Sequence, residues 1–120
     1  MVKITSHKDL KVWQESMNLV TKLYKLSENF PKHEVYGLSS QIRRAAVSIP
    51  SNIAEGAGRK GEKEFARFLY IALGSLSEVE TQTEISQRLG YIQDVEEINK
   101  SIYYIRNMLA NLIKSISNKQ

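Results

Sequence analysis

The sequence contains no cysteine, only two histidines and no long hydrophobic run among its 120 residues. Without cysteine there are no disulfide bonds and no thiolate metal sites, which is compatible with a reducing cytosol. The longest uncharged runs, Ala45 to Ala54 and Phe68 to Ser77, are far shorter than the ~20 residues that span a bilayer. Charged residues interrupt Met1 to Lys11, so no signal peptide is predicted. We therefore expect a soluble, cytoplasmic protein without membrane contact.

Patterns for catalysis and cofactor binding are also missing. His7 and His33 do not lie three residues after a glutamate, as the paired Glu-x-x-His motifs of di-iron bundles require. No cysteine nucleophile is present, and the stretch GAGRKG at 56–61 follows no predicted strand, so it does not indicate a Walker loop. We expect no enzymatic activity, no cofactor and no metal site.

Helical periodicity fills most of the sequence, and no segment shows the alternation of a strand. The pattern predicts four helices, over residues of about 8–29, 35–57, 62–89 and 94–116. Short connections between helices of this length predict an all-α fold, an antiparallel up-down-up-down four-helix bundle that forms a single domain over residues 1–120. Before the first helix we expect a loose arm over residues 1–6, with Ser6 or Asp9 as the helix cap. The Phe30-Pro31 pair should end the first helix, Gly90 should end the third, and Asp94 should cap the fourth. Residues 117–120 should fray.

The apolar residues of the first, third and fourth helices form seams at three- and four-residue spacing. The first helix has two seams, one with Leu10, Trp13, Met17, Val20 and Tyr24, the other with Val12, Leu19, Leu23 and Leu26. The third helix has one, with Phe65, Leu69, Ala72, Leu76, Val79 and Thr83. The fourth has Val95, Ile98, Ile102, Ile105, Leu109, Leu112 and Ile116. The double seam indicates that the first helix buries surface beyond one neighbouring helix.

The second helix divides into three arcs on a helical wheel. A core face carries Leu38, Ile42, Ala45, Ala46, Ile49 and Ile53, and a polar face carries Gln41, Arg44, Ser48, Ser51, Asn52 and Glu55. The third arc carries Arg43, Val47, Pro50 and Ala54, which suits a second contact surface. Because proline removes a backbone donor, we expect a kink near Ala46 to Pro50, and we interpret Gly56 and Gly58 as the helix stop.

Gly74 and Ser75 are small residues in the middle of the third helix. Because glycine in mid-helix costs about 1 kcal/mol relative to alanine, we interpret this point as a helix crossing, either within the chain or between chains.

Charge is unevenly distributed along a chain whose formal net charge is +4. The charged residues in 78–97 are acidic except for Arg88, whereas those in 43–67 include an excess of arginine and lysine. Solvated faces and ion pairs between helices explain such a pattern without any ligand.

The stretch QIRRAAVSIPSNIAEGAGR at 41–59, with FPKHEVYGL before it and FARFLYIALGSLSEVET after it, resembles a family of small bacterial four-helix bundle proteins. These proteins are encoded in intervening sequences of 23S ribosomal RNA genes and are similar to accessory proteins of diversity-generating retroelements. The resemblance covers about residues 10–92. It implies that this chain forms a ring-like homo-oligomer, expected to be a pentamer, with nucleic acid such as rRNA as the suspected partner.

The resemblance carries over to polar and small residues on the second and third helices, and these admit two interpretations. The residues that match the family motif are Gln41, Arg43, Arg44, Ala45, Ser48, Ile49, Asn52, Ile53, Glu55, Gly56, Phe68, Gly74, Ser75 and Glu78. A basic rim for RNA phosphates would consist of Arg43, Arg44, Arg59, Lys60, Lys63 and Arg67. Alternatively, the motif specifies assembly, with Arg43 or Arg44 paired to Glu78 or Glu55 and Asn52 bonded across a subunit boundary.

Two functions therefore stand at this point. One is a ribosome-associated or rRNA-binding oligomer, and the other is a homo-oligomeric scaffold that recruits a protein partner without binding nucleic acid. Trp13, Tyr103 and Tyr104 fit a core or an interface better than a platform for bases.

Overall fold

The computed structural model describes residues 6–117, and they form an all-α structure with no strand among them. Its four α-helices are α1 (Lys11–Ser27), α2 (Leu38–Ala57), α3 (Glu62–Arg88) and α4 (Glu96–Ser117). Two short 3-10 turns, His7–Asp9 and Lys32–Glu34, precede α1 and α2. Residues 1–5 of the predicted arm and residues 118–120 of the predicted frayed end lie outside the described residues, whereas Ser117 is the last residue of α4.

Helix α1 is shorter at both ends than the sequence pattern predicts. Ser6 does act as a cap, but its hydroxyl accepts the backbone N–H of Lys8 at 3.2 Å and so caps the 3-10 turn rather than α1. The first α-helical residue is Lys11, because Leu10 has an extended backbone. The last is Ser27, three residues before the Phe30-Pro31 pair that was expected to end the helix.

Helix α2 runs continuously through Pro50, which is buried. All six residues of its predicted core face are buried, as helical periodicity requires. The polar residues Ser48 and Asn52 lie near the proline: the Asn52 amide donates to the Ser48 carbonyl oxygen at 2.7 Å and to the Ser48 hydroxyl at 2.9 Å. Asn52 thus adds side-chain hydrogen bonds to α2 close to Pro50, which has no backbone N–H to donate.

Gly56 is not the stop of α2. It is buried inside the helix, and the C-cap is Gly58, whose backbone N–H contacts the carbonyls of Ala54, Glu55 and Gly56. A Cβ atom on Gly56 would lie 2.8 Å from the Phe68 Cβ and 3.2 Å from the Phe65 carbonyl oxygen. Glycine is therefore present because the backbone of α3 passes too close for a side chain.

The turn between α3 and α4 follows the predicted signals. Gly90 adopts a left-handed backbone (φ 80°) after α3, and the N–H of Tyr91 reaches back to the Ser86 carbonyl at 2.8 Å. Asp94 then caps α4, because its carboxylate accepts the Glu96 backbone N–H at 3.0 Å.

The four helices pack into one bundle around a single apolar core, with α2 against α1 and α3, and α4 against α3 and α1. The predicted seam of α3 is fully buried. In α4 the seam is buried except for Val95 and Leu112, which are half-buried, and Ile113 joins the core although the pattern omitted it. Three polar contacts support the packing: Lys22 pairs with Glu97, Arg106 with Glu80, and Ser48 with Ser75.

Several large apolar side chains remain on the outside of the bundle. Of the first seam of α1, Met17 and Tyr24 are exposed and the others are half-buried. Helix α3 exposes Tyr70, Ile71 and Ile85 on its surface, and Leu89 is exposed directly after it. Gly74, on the same helix, has no atom within 4 Å of where its Cβ would be. The close approach expected at Gly74 is therefore not made among residues 6–117, although Ser75 beside it does contact α2.

Candidate nucleic-acid interface

The six basic residues predicted to contact RNA lie in two separate groups. Arg43 and Arg44 are in the first half of α2, whereas the other four surround the turn from α2 to α3. At a rise of about 1.5 Å per residue, Arg44 and Arg59 are roughly 22 Å apart along the axis of α2. The structure does not bring the two groups together within one chain.

The turn cluster consists of Arg59, Lys60, Lys63 and Arg67. Arg59 pairs with Glu55 at 2.8 Å, and Arg67 pairs with Glu64 at 3.1 Å. Both guanidinium groups also stack on Phe68, with their central carbons 5.1 Å and 4.5 Å from the ring centroid. These arginines are therefore partly neutralised and held in place by their own chain.

The acidic side of the turn cluster shows the same pairing. The hydrogen bond from Arg67 lowers the pKa of the Glu64 carboxyl, so this acid is ionised whenever the arginine is paired with it. Within residues 6–117 the exposed Lys60 and Lys63 have no ion-pair partner. They are therefore the two residues of the turn cluster that form no ion pair with a carboxylate in the described part of the chain.

Arg43 and Arg44 lie beside a groove at the other end of α2. We call it the α1–α2 groove; it has a volume of about 390 Å³, and all of its lining residues fall between Tyr24 and Arg44. The lining includes the end of α1, the loop that follows it and the first turns of α2. Besides the two arginines it contains Lys32, the aromatic residues Tyr24 and Phe30, and the hydroxyls of Ser39 and Ser40.

Arg43 is fixed in the α1–α2 groove by neutral groups. Its Nε donates to the Ser27 hydroxyl at 2.7 Å, and its Nη2 donates to the Tyr24 carbonyl oxygen at 3.1 Å. The guanidinium lies over the Tyr24 ring, 4.6 Å from the centroid. The arginine is half-buried, so the predicted second contact surface of α2 is made, at this residue, with α1.

Charge pairing separates these two arginines from all others. The chain has six arginines, and the other four each pair with a carboxylate: Arg59, Arg67, Arg88 and Arg106. Among the described residues neither Arg43 nor Arg44 has such a partner. Within residues 6–117 the predicted pairing of these arginines with Glu55 or Glu78 is not formed, and Glu55 is bound to Arg59 instead. The α1–α2 groove thus has an excess of positive charge, because Arg43, Arg44 and Lys32 line it together with a single carboxylate, that of Glu28.

Several of the remaining polar motif residues lie where α2 meets α3. The hydroxyls of Ser48 and Ser75 are 2.8 Å apart, and the Asn52 amide binds Ser48 within α2. Gln41, Ser48 and Glu78 line a second groove of about 350 Å³, which Arg44 also borders. In the same groove the side-chain oxygen of Gln82 is buried without a hydrogen-bond partner among residues 6–117.

Glu34 is a structural residue that the sequence pattern did not identify. One carboxylate oxygen accepts the backbone N–H of Leu38 at 3.0 Å, and the other accepts the hydroxyl of Tyr91 at 2.9 Å. These bonds, the Leu38 bond first, lower the pKa of the Glu34 carboxyl, and the Tyr91 pKa is raised because its hydroxyl donates to that carboxylate. The loop beside the α1–α2 groove is thereby tied both to the start of α2 and to the α3–α4 turn. A glutamate four residues before an uncapped helix start is the only sequence signal of this role.

The aromatic residues outside the core divide between contact and exposure. Trp13 packs partly against the core and meets the His7 ring edge-on at 5.1 Å. Tyr103 and Tyr104 are both exposed, so they are not core residues, and the interface interpretation stays a prediction.

The described part of the chain holds neither a metal cluster nor a membrane span. Across residues 6–117, no three acidic, histidine or cysteine side chains are grouped as a metal would require. None of the helices in this range combines the length and the apolar character that a membrane span needs.

Comparison with known proteins places the chain in a family. The sequence model of the 23S rRNA-intervening sequence protein family matches residues 8–111. A crystal structure of a protein of unknown function from the S23 ribosomal protein family of Bacteroides thetaiotaomicron VPI-5482 is similar, with a TM-score of 0.79 and 28% sequence identity. The match covers 86% of this chain and 95% of that one. Among curated protein sequences none matches. Because the family model matches most of the chain, the protein belongs to the 23S rRNA-intervening sequence protein family.

Proposed function

We propose that the protein is a non-enzymatic, cytoplasmic homo-oligomer that associates with rRNA and binds its phosphates at the α1–α2 groove. The observation that carries this proposal is that, within residues 6–117, Arg43 and Arg44 alone among the six arginines have no carboxylate partner. An arginine without a counter-ion favours an external anion. Arg43 is held by Ser27 and Tyr24, whereas the exposed Arg44 can bind a phosphate through two parallel hydrogen bonds. The family name supports RNA as the source of that anion.

The turn cluster is the second contact in this proposal. Lys60 and Lys63 have free charge, but Glu55 and Glu64 neutralise their arginine neighbours. We therefore assign to the turn cluster a weaker contribution than that of the α1–α2 groove.

The bundle topology that we propose is antiparallel, up-down-up-down. The contacts support it because residue numbers rise along one helix as they fall along the next: Ser48 meets Ser75, and Gly56, later in α2, faces Phe68, earlier in α3. Connections of a few residues between helices of this length favour the same arrangement.

A ring-like homo-oligomer, a pentamer by family resemblance, is part of the proposal. Its support is the surface of α3, where Tyr70, Ile71 and Ile85 are exposed and Gly74 leaves open space. The unpartnered oxygen of Gln82 on the neighbouring groove is a second reason to expect a covering surface. Repetition of a weak phosphate site around a ring increases overall affinity through avidity.

A scaffold that recruits a protein is the alternative function. The observation that favours it is the exposed pair Tyr103 and Tyr104, which border a groove of about 750 Å³ together with Lys100 and Gln87. Tyrosine is enriched at protein interfaces, where its ring supplies contact area and its hydroxyl a hydrogen bond.

The test is binding of a labelled rRNA stem-loop, measured by fluorescence anisotropy over a salt series, with native mass spectrometry of every variant. Two double variants have equal charge changes: Lys32→Gln/Arg44→Gln in the α1–α2 groove and Lys60→Gln/Lys63→Gln in the turn cluster. We expect salt-dependent binding that weakens by about tenfold or more in the groove variant and less in the cluster variant. For contacts to single-stranded RNA, the plot of log affinity against log salt should become less steep by about 0.7 for each phosphate that the variant no longer neutralises.

Three results would count against this assignment. Absence of RNA binding by an intact wild-type oligomer would remove the nucleic-acid function. Equal weakening in the two double variants would mean that the groove is not the main site. Loss of the oligomer in the groove variant would assign Lys32 and Arg44 to assembly instead.

A further inference from the structure

The α1–α2 groove combines charge with accessible aromatic surface. Tyr24 has 41% of its surface exposed although its ring contacts the Arg43 guanidinium. Val35, which also lines the groove, is exposed, and Tyr36 next to it is 96% exposed. Apolar and aromatic surface in this amount is not needed for binding a phosphate alone.

Arg43 contacts Tyr24 at two places, the backbone carbonyl oxygen and the ring. The Tyr24 carbonyl oxygen accepts from Arg43, and the guanidinium of Arg43 is held in turn by the Ser27 hydroxyl. The Arg43 guanidinium therefore covers part of the Tyr24 ring, and the surface of the tyrosine that stays exposed is preorganised at the groove. Nucleic-acid bases stack on aromatic rings and on guanidinium planes.

The size of the groove limits what can enter. A volume of about 390 Å³ lies near the lower end of the range of about 300–1,000 Å³ that is typical of small-molecule pockets. In an RNA duplex the bases are stacked inside the helix, and side chains contact mainly the phosphates and 2′-hydroxyls. An unpaired base, in contrast, is free to enter a groove and stack.

We propose that the α1–α2 groove binds one unpaired RNA nucleotide, with its phosphate at Lys32 and Arg44 and its base against Tyr24 and Val35. This inference rests on the proposed function and narrows it to single-stranded segments such as loops and the ends of rRNA fragments. The exposed ring of Tyr36 provides surface for a neighbouring base. Discrimination between paired and unpaired RNA follows from the aromatic residues, whereas the lysine and the arginine contribute to both.

Glu28 provides an internal check on the phosphate position. It is the only carboxylate among the described residues that line the groove. If a phosphate occupies the groove, removal of this negative charge reduces repulsion, so Glu28→Gln should bind RNA a few-fold more tightly at low salt.

The experiment compares an unstructured RNA strand of about ten nucleotides with the duplex that it forms with its complement, using the full chain in its native oligomer. Anisotropy is measured for the wild type, Tyr24→Leu and Tyr24→Phe, with Tyr103→Leu as a matched control at another exposed tyrosine. Thermal melting by circular dichroism confirms that each variant is folded. We expect the single strand to bind about tenfold or more tightly than the duplex, as the energy of one stacked base implies. Tyr24→Leu should remove this preference, whereas Tyr24→Phe and Tyr103→Leu should retain it.

Each other outcome has a defined meaning. If the duplex binds as tightly as the strand and Lys32→Gln/Arg44→Gln weakens both, the single-strand inference is wrong while the proposed rRNA association stands. If Tyr24→Leu is folded and keeps the full preference, the stacking surface is wrong. If neither RNA binds the intact oligomer, or if a polyglutamate peptide of equal charge binds more tightly, both proposals fail and an acidic protein partner becomes the better assignment.

Discussion

Gly56→Ala is the substitution whose effect the structure fixes most closely. Two opposing terms decide it. Replacement of glycine by alanine inside a helix stabilises by about 1 kcal/mol. The new Cβ, however, would lie 2.8 Å from the Phe68 Cβ and 3.1 Å from the Phe65 Cδ1, with a backbone carbonyl at 3.2 Å. Because a Cβ and a carbonyl cannot move without the helix, overpacking should cost about 1–3 kcal/mol.

Gly74→Ala is the matched control, since it makes the same chemical change in the interior of α3. In the part of the chain that the structure describes, no atom outside the backbone of its own helix lies within 4 Å of the new Cβ, so only the helix-propensity gain applies there. We therefore expect Gly74→Ala to stabilise the fold by about 1 kcal/mol and Gly56→Ala to be neutral or destabilising by up to about 2 kcal/mol. The difference between the variants, about 1–3 kcal/mol, does not depend on the propensity term.

The assay is urea denaturation followed by circular dichroism, repeated at several protein concentrations because assembly contributes to apparent stability. Native mass spectrometry of Gly74→Ala shows in addition whether copies approach each other at this residue. Equal stabilisation by the two substitutions would refute the close approach of α2 and α3 at Gly56.

Two further predictions concern polar contacts. The hydrogen bonds from Leu38 and Tyr91 lower the pKa of Glu34 in the folded state, so the stability that Glu34 contributes is complete above the ordinary pKa of 4.5 and is lost as the pH falls through the lower folded value. Acid unfolding of Glu34→Gln should therefore depend less on pH than that of the wild type. Equal pH slopes for the two proteins would contradict this. In a double-mutant cycle, Ser48→Ala and Ser75→Ala should show a coupling of about 0.5–1.5 kcal/mol in thermal or urea unfolding, whereas simple additivity would mean that the 2.8 Å contact contributes nothing.

The helices and most of the core could be predicted from the sequence because both depend on local periodicity. The core residues of α2 and α3 repeat at three- and four-residue spacing, and all of them are buried as predicted. Gly90 and Asp94 carry turn and cap signals that act within a few residues, and these were also confirmed. Gly56 was misinterpreted, because a glycine that ends a helix and a glycine that admits a neighbouring helix look the same in sequence.

The candidate site could be predicted only in part because its contacts join distant residues. The basic residues were identifiable by type, and Arg59 and Arg67 pair with glutamates at helical spacing. The bonds that hold Arg43, however, join it to residues 16 and 19 positions away. Lys32 was not recognised as part of the groove, since nothing in its sequence context relates it to Arg44. The link from Glu34 to Tyr91 spans 57 residues, and no local pattern indicates it.

The α1–α2 groove also has a consequence for the order in which the chain folds during synthesis. All of its lining residues come from one continuous stretch, Tyr24 to Arg44. Structure that depends on nearby residues forms quickly, because little chain entropy is lost in closing short loops. The groove-forming segment leaves the ribosome before residues 62–117, so its residues emerge before the rest of the bundle has been made.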